Sequence, residues 1–541
     1  MLKKLAGVVV SILIILGLFT TAPVLANSPT YIENGQVVDE FTSHPLADRK
    51  EIQPLENGWN RYKDHTQGFS LLYPNNMDVD VSLSSIRTLI SDADTRLEIY
   101  HDFFTTANAP SAQAYINYSH RFLGNTTDHR VLENRYLTVN DHQVHLLRWE
   151  RNKLARVTND HNYYVSATIV ISPTEVYTLV WESTRPVTGY METLESFQTI
   201  PRLGSPGLWA KFAPVEKDRD EETQQWFADH FAEAAPLTWG IFEPTAPASF
   251  NYLKQLEKRF AYEFPILLHY QHLDSSAPLP VLQQAHREGR TVELTLQTSS
   301  FQFSEAENRR VPYEILAGNY DAFLYDYAKQ IKEFGHPVLF RLNNEMNGDW
   351  CTYSSFHTSK DPDLFIALWR YVYQIFREVG ADNVIWVWNP HDGSFPDFKW
   401  NHAFLYYPGD EYVDVVGLTG YNTGTYYPGE KWREFAHIYD PLYRLYSSVF
   451  QHPFMITEFG SNSVGGDKVA WIEGMFAALN QFPRIKAAIW WNGIDWDAQM
   501  NPARIYRIDE NQAVLDAFAQ GLRKSGDGPS TCVFAKSAAK P

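Results

Sequence analysis

The sequence predicts an α/β protein in which a (β/α)8 TIM barrel follows a small α+β domain. Three observations carry that prediction. Eight short runs rich in β-branched and aromatic residues recur roughly every 25 to 45 positions, at 238–242, 265–269, 292–296, 338–342, 384–388, 413–418, 454–457 and 487–491. Amphipathic helical patterns lie between several of them, and strands that alternate with helices pair in parallel, so eight such units make a closed barrel. No Gly-rich phosphate loop follows any run, which disfavours an open doubly wound sheet. A chain of 541 residues is also too long for one hydrophobic core.

Taken in order, residues 1–26 read as a secretory signal. Lys3 and Lys4 supply the positive start, 5–19 the apolar stretch, and Val24-Leu25-Ala26 a small-residue cleavage site. An uncleaved membrane anchor is the alternative, because the apolar run is long for a signal. No later stretch has the length of apolar sequence that a membrane span needs. Residues 27–60 are polar and turn-rich and read as an exposed leader.

The span 61–201 has α+β texture. Residues 68–74 form a strand running into a turn, 97–100 alternate as a half-buried strand does, and 112–123 have helical spacing. Segments 163–171 and 176–181 pair across Ser172-Pro173-Thr174, and a short helix around 191–197 closes the unit. The opening Gly68-Phe69-Ser70 with Tyr73-Pro74 and the closing Leu194-Glu195-Ser196-Phe197 weakly resemble the PsbP/Mog1-type α/β sandwich, a likeness that implies no function. No carboxylate pair or ligand cluster stands out there, so a structural, substrate-contacting or tethering accessory role is expected.

Residues 202–235, with Gly204, Pro206 and Pro214 before a charged stretch, read as a linker ending in a helix. Within the barrel span 236–521, Asn319 caps a helix that places Tyr320, Phe323, Leu324, Tyr327, Ile331 and Phe334 on one face, and Gly335 stops it. Asp361-Pro362 opens a second, carrying Leu364, Leu368, Tyr371 and Ile375, which Gly380 ends. A third runs over 467–479. Residues 522–541 are rich in Ser, Gly, Lys and Ala and read as a disordered tail.

Composition narrows the function. Net charge is −18 and no Lys/Arg-rich run stands out, which makes nucleic acid and anionic membrane surfaces poor partners and leaves a neutral substrate compatible. Aromatic content of 15% is high for a soluble protein; much of it is core, and sugar-binding clefts also need flat apolar faces on which pyranose rings stack. The two cysteines, Cys351 and Cys532, make neither a disulfide scaffold nor a CxxC metal site. They form either one bridge between the tail and the rim or two free thiols.

The chemistry concentrates in 339–350, which begins apolar and then turns into hydrogen-bonding side chains around Glu345. Residues 453–460 repeat that design around Glu458. By strand count Glu345 closes the fourth run and Glu458 the seventh, and strands four and seven face each other across a barrel mouth. Two acids at such a mouth are the equipment for glycosidic cleavage, one protonated and one ionised, their states separated by burial and mutual repulsion. A gap of about 5–5.5 Å serves retention and about 6.5–9.5 Å serves inversion.

The segment Arg341-x-x-Asn344-Glu345-Met346-Asn347-Gly348-x-Trp350 resembles the acid/base motif of glycoside hydrolase family 26, a group of endo-β-mannanases and related β-glycanases. Ala317-Gly318-x-Tyr320-Asp321, Asn383-Val384-Ile385-Trp386-Val387-Trp388-Asn389-Pro390, Tyr407-Pro408-Gly409-Asp410, Thr457-Glu458-Phe459-Gly460 and Trp490-Trp491-Asn492 extend the likeness across the barrel in the right order. The resemblance implies Glu345 as general acid/base and Glu458 as nucleophile. It implies Arg341 beneath the acids, Tyr421 hydrogen-bonded to the nucleophile, and Trp350 and Trp490 in contact with sugar. His269 would reach the bound sugar, with His272 an equal candidate; Trp490 or Trp491 could instead be barrel core. The family usually places His before its acid/base, whereas Asn344 stands here and is similar to the amide of related barrel glycosidases that contacts the sugar 2-hydroxyl. Mannose and glucose differ at that hydroxyl, so the change bears on sugar choice.

The expectation is therefore a secreted, monomeric endo-β-glycanase acting by double displacement on a polysaccharide, without metal or organic cofactor. β-1,4-Mannan is the leading substrate, mixed-linkage β-glucan or xylan the alternatives, and a non-catalytic carbohydrate-binding protein the rival.

Overall fold

The structure, a computed structural model of the chain, describes residues 28–105 and 109–525. The expected signal at 1–26, Cys532 and the tail beyond 525 lie outside the described residues, and 522–525 finish the helix Gln512–Ser525 rather than opening a tail. Among the described residues no helix is long and apolar enough to cross a membrane. The chain divides into two compact units, one of residues 28–76 with 196–205 and one of 77–195 with 206–525.

The first unit is a six-stranded antiparallel sheet in the order Gln198–Thr199, Phe69–Pro74, Trp59–Asp64, Arg49–Pro54, Thr30–Glu33, Gln36–Val38. The expected leader thus carries three of its strands. Its polar residues misled because they satisfy one another: Lys50 is buried against Asp48 and, at 2.8 Å, Asp64, while Glu33 accepts from Thr42 N and Oγ1.

The second unit begins with a seven-stranded antiparallel sheet, Asp78–Asp80, Thr88–Ser91, Thr95–Phe103, Glu175–Ser183, Tyr163–Ser172, His142–Arg151, His129–Val139. The pair across Ser172-Pro173-Thr174 forms as expected. The last hairpin turns on Asn140 and Asp141, both left-handed at φ 48° and 65°, which suits a two-residue turn. The expected single domain over 61–201 therefore splits. Strands at 59–74 pair into the first unit, whereas 77–195 shares one continuous apolar core with the barrel. Tyr100, Phe104 and Tyr115 belong to the same buried cluster as Trp388 and Trp400, and Tyr115 packs on Phe398 with ring centroids 4.3 Å apart.

The barrel closes from eight parallel strands: β1 (Thr238–Phe242), β2 (Ile266–His272), β3 (Thr291–Gln297), β4 (Val338–Leu342), β5 (Val384–Trp388), β6 (Val415–Thr419), β7 (Phe454–Phe459) and β8 (Ile485–Trp491). All eight expected runs are present. The two-residue strand period sorts their side chains. Val292, Leu294 and Leu296 face the helices, whereas Leu268, Leu339, Val387, Met455 and Ile489 fill the interior. The helix Glu221–Phe231 closes the N-terminal mouth, with Phe231 buried among those interior residues. Helices Asp321–Phe334, Pro362–Val379 and Lys468–Leu479 match the expected ones; Tyr320 rather than Asn319 occupies the first cap, Asp361 and Gly380 cap as expected, and Asp467, expected as a helical residue, is the cap of the third. The C-terminal mouth is left open to the βα loops.

Candidate active site

At the end of β4 the backbone leaves the sheet through two left-handed residues, Asn343 at φ 53° and Glu345 at φ 54°. Such backbone costs about 1–3 kcal/mol per residue and persists only where surroundings enforce it. Here the Asn343 carboxamide accepts from Thr298 N at 2.8 Å, and Glu345 N donates to Asn389 O at 2.8 Å. The result turns Asn344 and Glu345 back over the barrel axis. A side chain at Gly348 would collide with the Trp350 indole, so glycine lets the loop fold that tightly.

Arg341 lies fully buried beneath them. Its Nε donates to Thr295 Oγ1 at 2.7 Å, and one terminal nitrogen donates to Asn389 Oδ1 at 2.9 Å and Glu458 Oε1 at 2.8 Å. Glu293, on β3, stands 3.3 Å from the same guanidinium and is also fully buried. Burial pushes the Glu293 carboxyl up to about 8, against the pull of Arg341 and with added repulsion from Glu458, so near neutral pH it is protonated. Burial opposes the charge on Arg341, but Glu293 when ionised and Glu458 outweigh it and raise the proton affinity of the guanidinium, which stays charged.

Glu458 reaches the interior only because β7 contains a bulge. The register with β6 shifts so that Leu418 pairs with Ile456 but Thr419 pairs with Glu458, which leaves Thr457 as the extra residue. Thr457 faces inward, its Oγ1 2.8 Å from Thr419 Oγ1, and Glu458 beside it faces inward as well. Phe459 then returns to the outer core. The two Glu458 oxygens divide four donors. Oε1 accepts from Arg341 and, at 3.3 Å, from the Asn344 amide; Oε2 accepts from Tyr270 at 2.5 Å and Tyr421 at 2.9 Å. Each oxygen thus accepts two hydrogen bonds, which fixes the carboxylate in one orientation.

Glu345 occupies a different environment at the same mouth. Its Oε2 accepts from the Trp350 indole at 3.1 Å, and its Oε1 lies 4.0 Å from His391 Nε2. Burial pushes its carboxyl up to about 7; His391 opposes this, Glu458 adds to it, and the Trp350 bond and Arg341 oppose it. One acid thus holds a proton near neutral pH while the other is surrounded by donors, the division of roles that acid-assisted nucleophilic cleavage requires.

Residues 270–459 match the family model of glycosyl hydrolase family 26. The barrel segment belongs to that family. Endoglucanase H of Acetivibrio thermocellus is 29% identical over 222 residues, covering 40% of this chain and 23% of that protein. A mannan endo-1,4-β-mannosidase of Bacillus subtilis is 31% identical over 183 residues, 32% of this chain and 44% of its own length. A β-1,3-xylanase, TXYA, of a Vibrio species is 33% identical over 103 residues, 19% of this chain and 20% of that protein. The chain therefore spans less than half the length of each of these relatives.

Two of the expected site residues do not reach the mouth of this family 26 barrel. Trp490 is 0% exposed, donates to Tyr506 O, and packs on Phe459, Trp471 and Phe518 in the outer core. Strand alternation decides this: Ala487 and Ile489 face inward, so Trp491 is the tryptophan at the mouth, stacked on Phe242 and edge-on to Tyr421. His269 falls on the strand face of Leu267, an outer-core residue, and of Gln271, which accepts from Tyr327 of an outer helix. Tyr270 takes the inward position. His272, the equal candidate, bonds Ser299 and packs on Phe301, which is 82% exposed.

Arg341, Asn344, Trp350 and Tyr421 do converge on the acids. Asn344 is oriented by Gln297 Nε2 at 2.8 Å, and its carbonyl accepts from Tyr353 at 2.6 Å and, more weakly, from the free, buried Cys351. Trp350, 50% exposed, stands against Phe395 and His391 as an open apolar wall beside Glu345. Tyr270, Glu293, Thr295, Asn389 and His391 also stand at the site, though none was among the expected residues. For the first three the signal was present, since all sit on the inward parity of β2 or β3; Asn389 stands one residue past β5, on the inward parity of Ile385 and Val387.

Proposed function

We propose that the chain is an endo-acting β-glycanase that hydrolyses internal β-linkages of a polysaccharide by a retaining double displacement. The observation that carries this is the pairing of Glu345 and Glu458 at one barrel mouth in opposite electrostatic settings. Glu345 protonates the departing glycosidic oxygen while Glu458 attacks the anomeric carbon. Glu345, now a base, then takes a proton from the water that releases the sugar. The donors around Glu458 keep it in one place for attack, and the Asn344 amide stands where it can meet a sugar hydroxyl beside the nucleophile. Trp350, Phe395 and Trp491 line the approach with faces for pyranose rings.

β-1,4-Mannan is the leading substrate, supported by the match to the Bacillus subtilis mannosidase. The matches to an endoglucanase and a β-1,3-xylanase support glucan and xylan as the alternatives. Export is part of the proposal, since such polymers are met outside the cell and 1–26 has signal character.

The test is reducing-sugar release from mannan, galactomannan, glucomannan, lichenan and xylan, with product size followed over time. Glu458→Ala and Glu345→Gln should each lose several orders of magnitude on the preferred polymer while remaining folded. Near-normal turnover by either variant overturns the assignment, and absence of release from all five polymers by the wild type favours a binding protein.

A further inference from the structure

We propose that Glu222, His286 and His336 form a divalent-metal site of the zinc class at the N-terminal face of the barrel, remote from the acids. The three come from separate elements. Glu222 lies in the first turn of the helix that plugs the barrel, Glu221–Phe231. His286 lies in the last turn of the helix Leu279–Arg287, and His336 sits between Gly335 and the start of β4. One donor atom from each lies within 4.8 Å of the other two, and among the described residues no other such trio of His, Cys, Asp or Glu converges this closely.

The local geometry suits a metal better than a plain ion pair. His336 Nδ1 is 2.9 Å from Glu222 Oε2, while the His286 and His336 rings are stacked 3.5 Å apart at 11°. A tetrahedral zinc site sets its ligand atoms about 3.3 Å apart, a contraction that small rotations of these surface side chains supply. Two nitrogens and a carboxylate oxygen favour Zn²⁺ over Mg²⁺ or Ca²⁺, and the exposed positions leave room for water to complete the shell. Sequence spacing concealed the trio, because its members are separated by 64 and 50 positions.

A metal here would tie the plug helix to the segments that lead into β3 and β4, so its effect falls on stability. The experiment uses untagged protein freed of metal by chelator and titrated calorimetrically with Zn²⁺ and, separately, Mg²⁺. Saturable binding of one Zn²⁺, with a rise of about 2–4 °C in the unfolding midpoint and none with Mg²⁺, is expected. His286→Ala/His336→Ala should abolish both signals, and Glu222→Gln, which keeps a hydrogen bond to His336, should weaken zinc at least about tenfold. Hydrolytic activity without zinc should be unchanged in these variants. Absence of saturable binding in the wild type, or binding unaltered in Glu222→Gln and the double variant, overturns the site.

Discussion

The Trp350 indole donates to Glu345 Oε2 at 3.1 Å while the ring itself stands half exposed beside that acid. One side chain therefore offers both a sugar-binding face and a donor that stabilises the Glu345 anion.

Glu345 must be protonated to act as acid, and its carboxyl is raised to about 7, so activity should fall as pH rises through that value. Trp350→Phe removes a donor that favours the anion, and the alkaline limb of kcat/KM should move up by about one pH unit. A profile of kcat/KM against pH that stays in place would show that the bond does not set the proton affinity.

Tyr270 and Tyr421 share one oxygen of Glu458. Tyr270→Phe and Tyr421→Phe should each lower kcat about 10–100-fold with KM little changed, the size expected for a hydrogen bond to a charged group. The double variant should lose less than the product of the two, because both act on the same atom. Steady-state kinetics on the preferred polymer, beside circular dichroism, would check this.

Glu345 also costs stability. Its folded carboxyl binds a proton more tightly than an ordinary one at 4.5, so the folded state loses stability as pH climbs from about 4.5 to 7 and carries the full penalty above. Glu345→Gln should be more stable than wild type by about 1–3 kcal/mol near pH 8 and equal to it near pH 4. Urea unfolding at both values would decide, and equal midpoints at the higher pH would contradict the raised carboxyl.

The two neighbouring tryptophans should separate cleanly. Trp490→Ala empties a fully buried site and should cost about 3–5 kcal/mol. Trp491→Ala should leave the unfolding midpoint nearly unchanged and raise KM about tenfold through a lost ring contact. A reversal of those effects would place the sugar face on Trp490.

The strands of the barrel were legible because each is an apolar run bounded by breaks, and periodicity needs no partner to be visible. Glu345 was legible for the same reason: it follows such a run within a dense polar cluster. Tyr270 could have been found by extending the inward parity of Ile266 and Leu268, and the same count would have separated Trp491 from Trp490. The strands at 30–54 were hidden because their buried charges, Lys50 with Asp48 and Asp64, imitate an exposed surface in composition.

By itself the sequence determined the closed barrel, the strand that each acid terminates, and the glycines that stop its helices, since these follow from local spacing and propensity. The tertiary structure alone decided where the acids point and which donors and charges surround each. Simple alternation from inward Met455 would have sent Glu458 outward with Ile456; the bulge at Thr457, a property of pairing between β6, β7 and β8, turns it in. Arg341, Tyr270 and Tyr421 then meet it from three other strands or their loops. Proton affinities depend on burial and on charges brought from distant parts of the chain, and neither exists until the chain has folded.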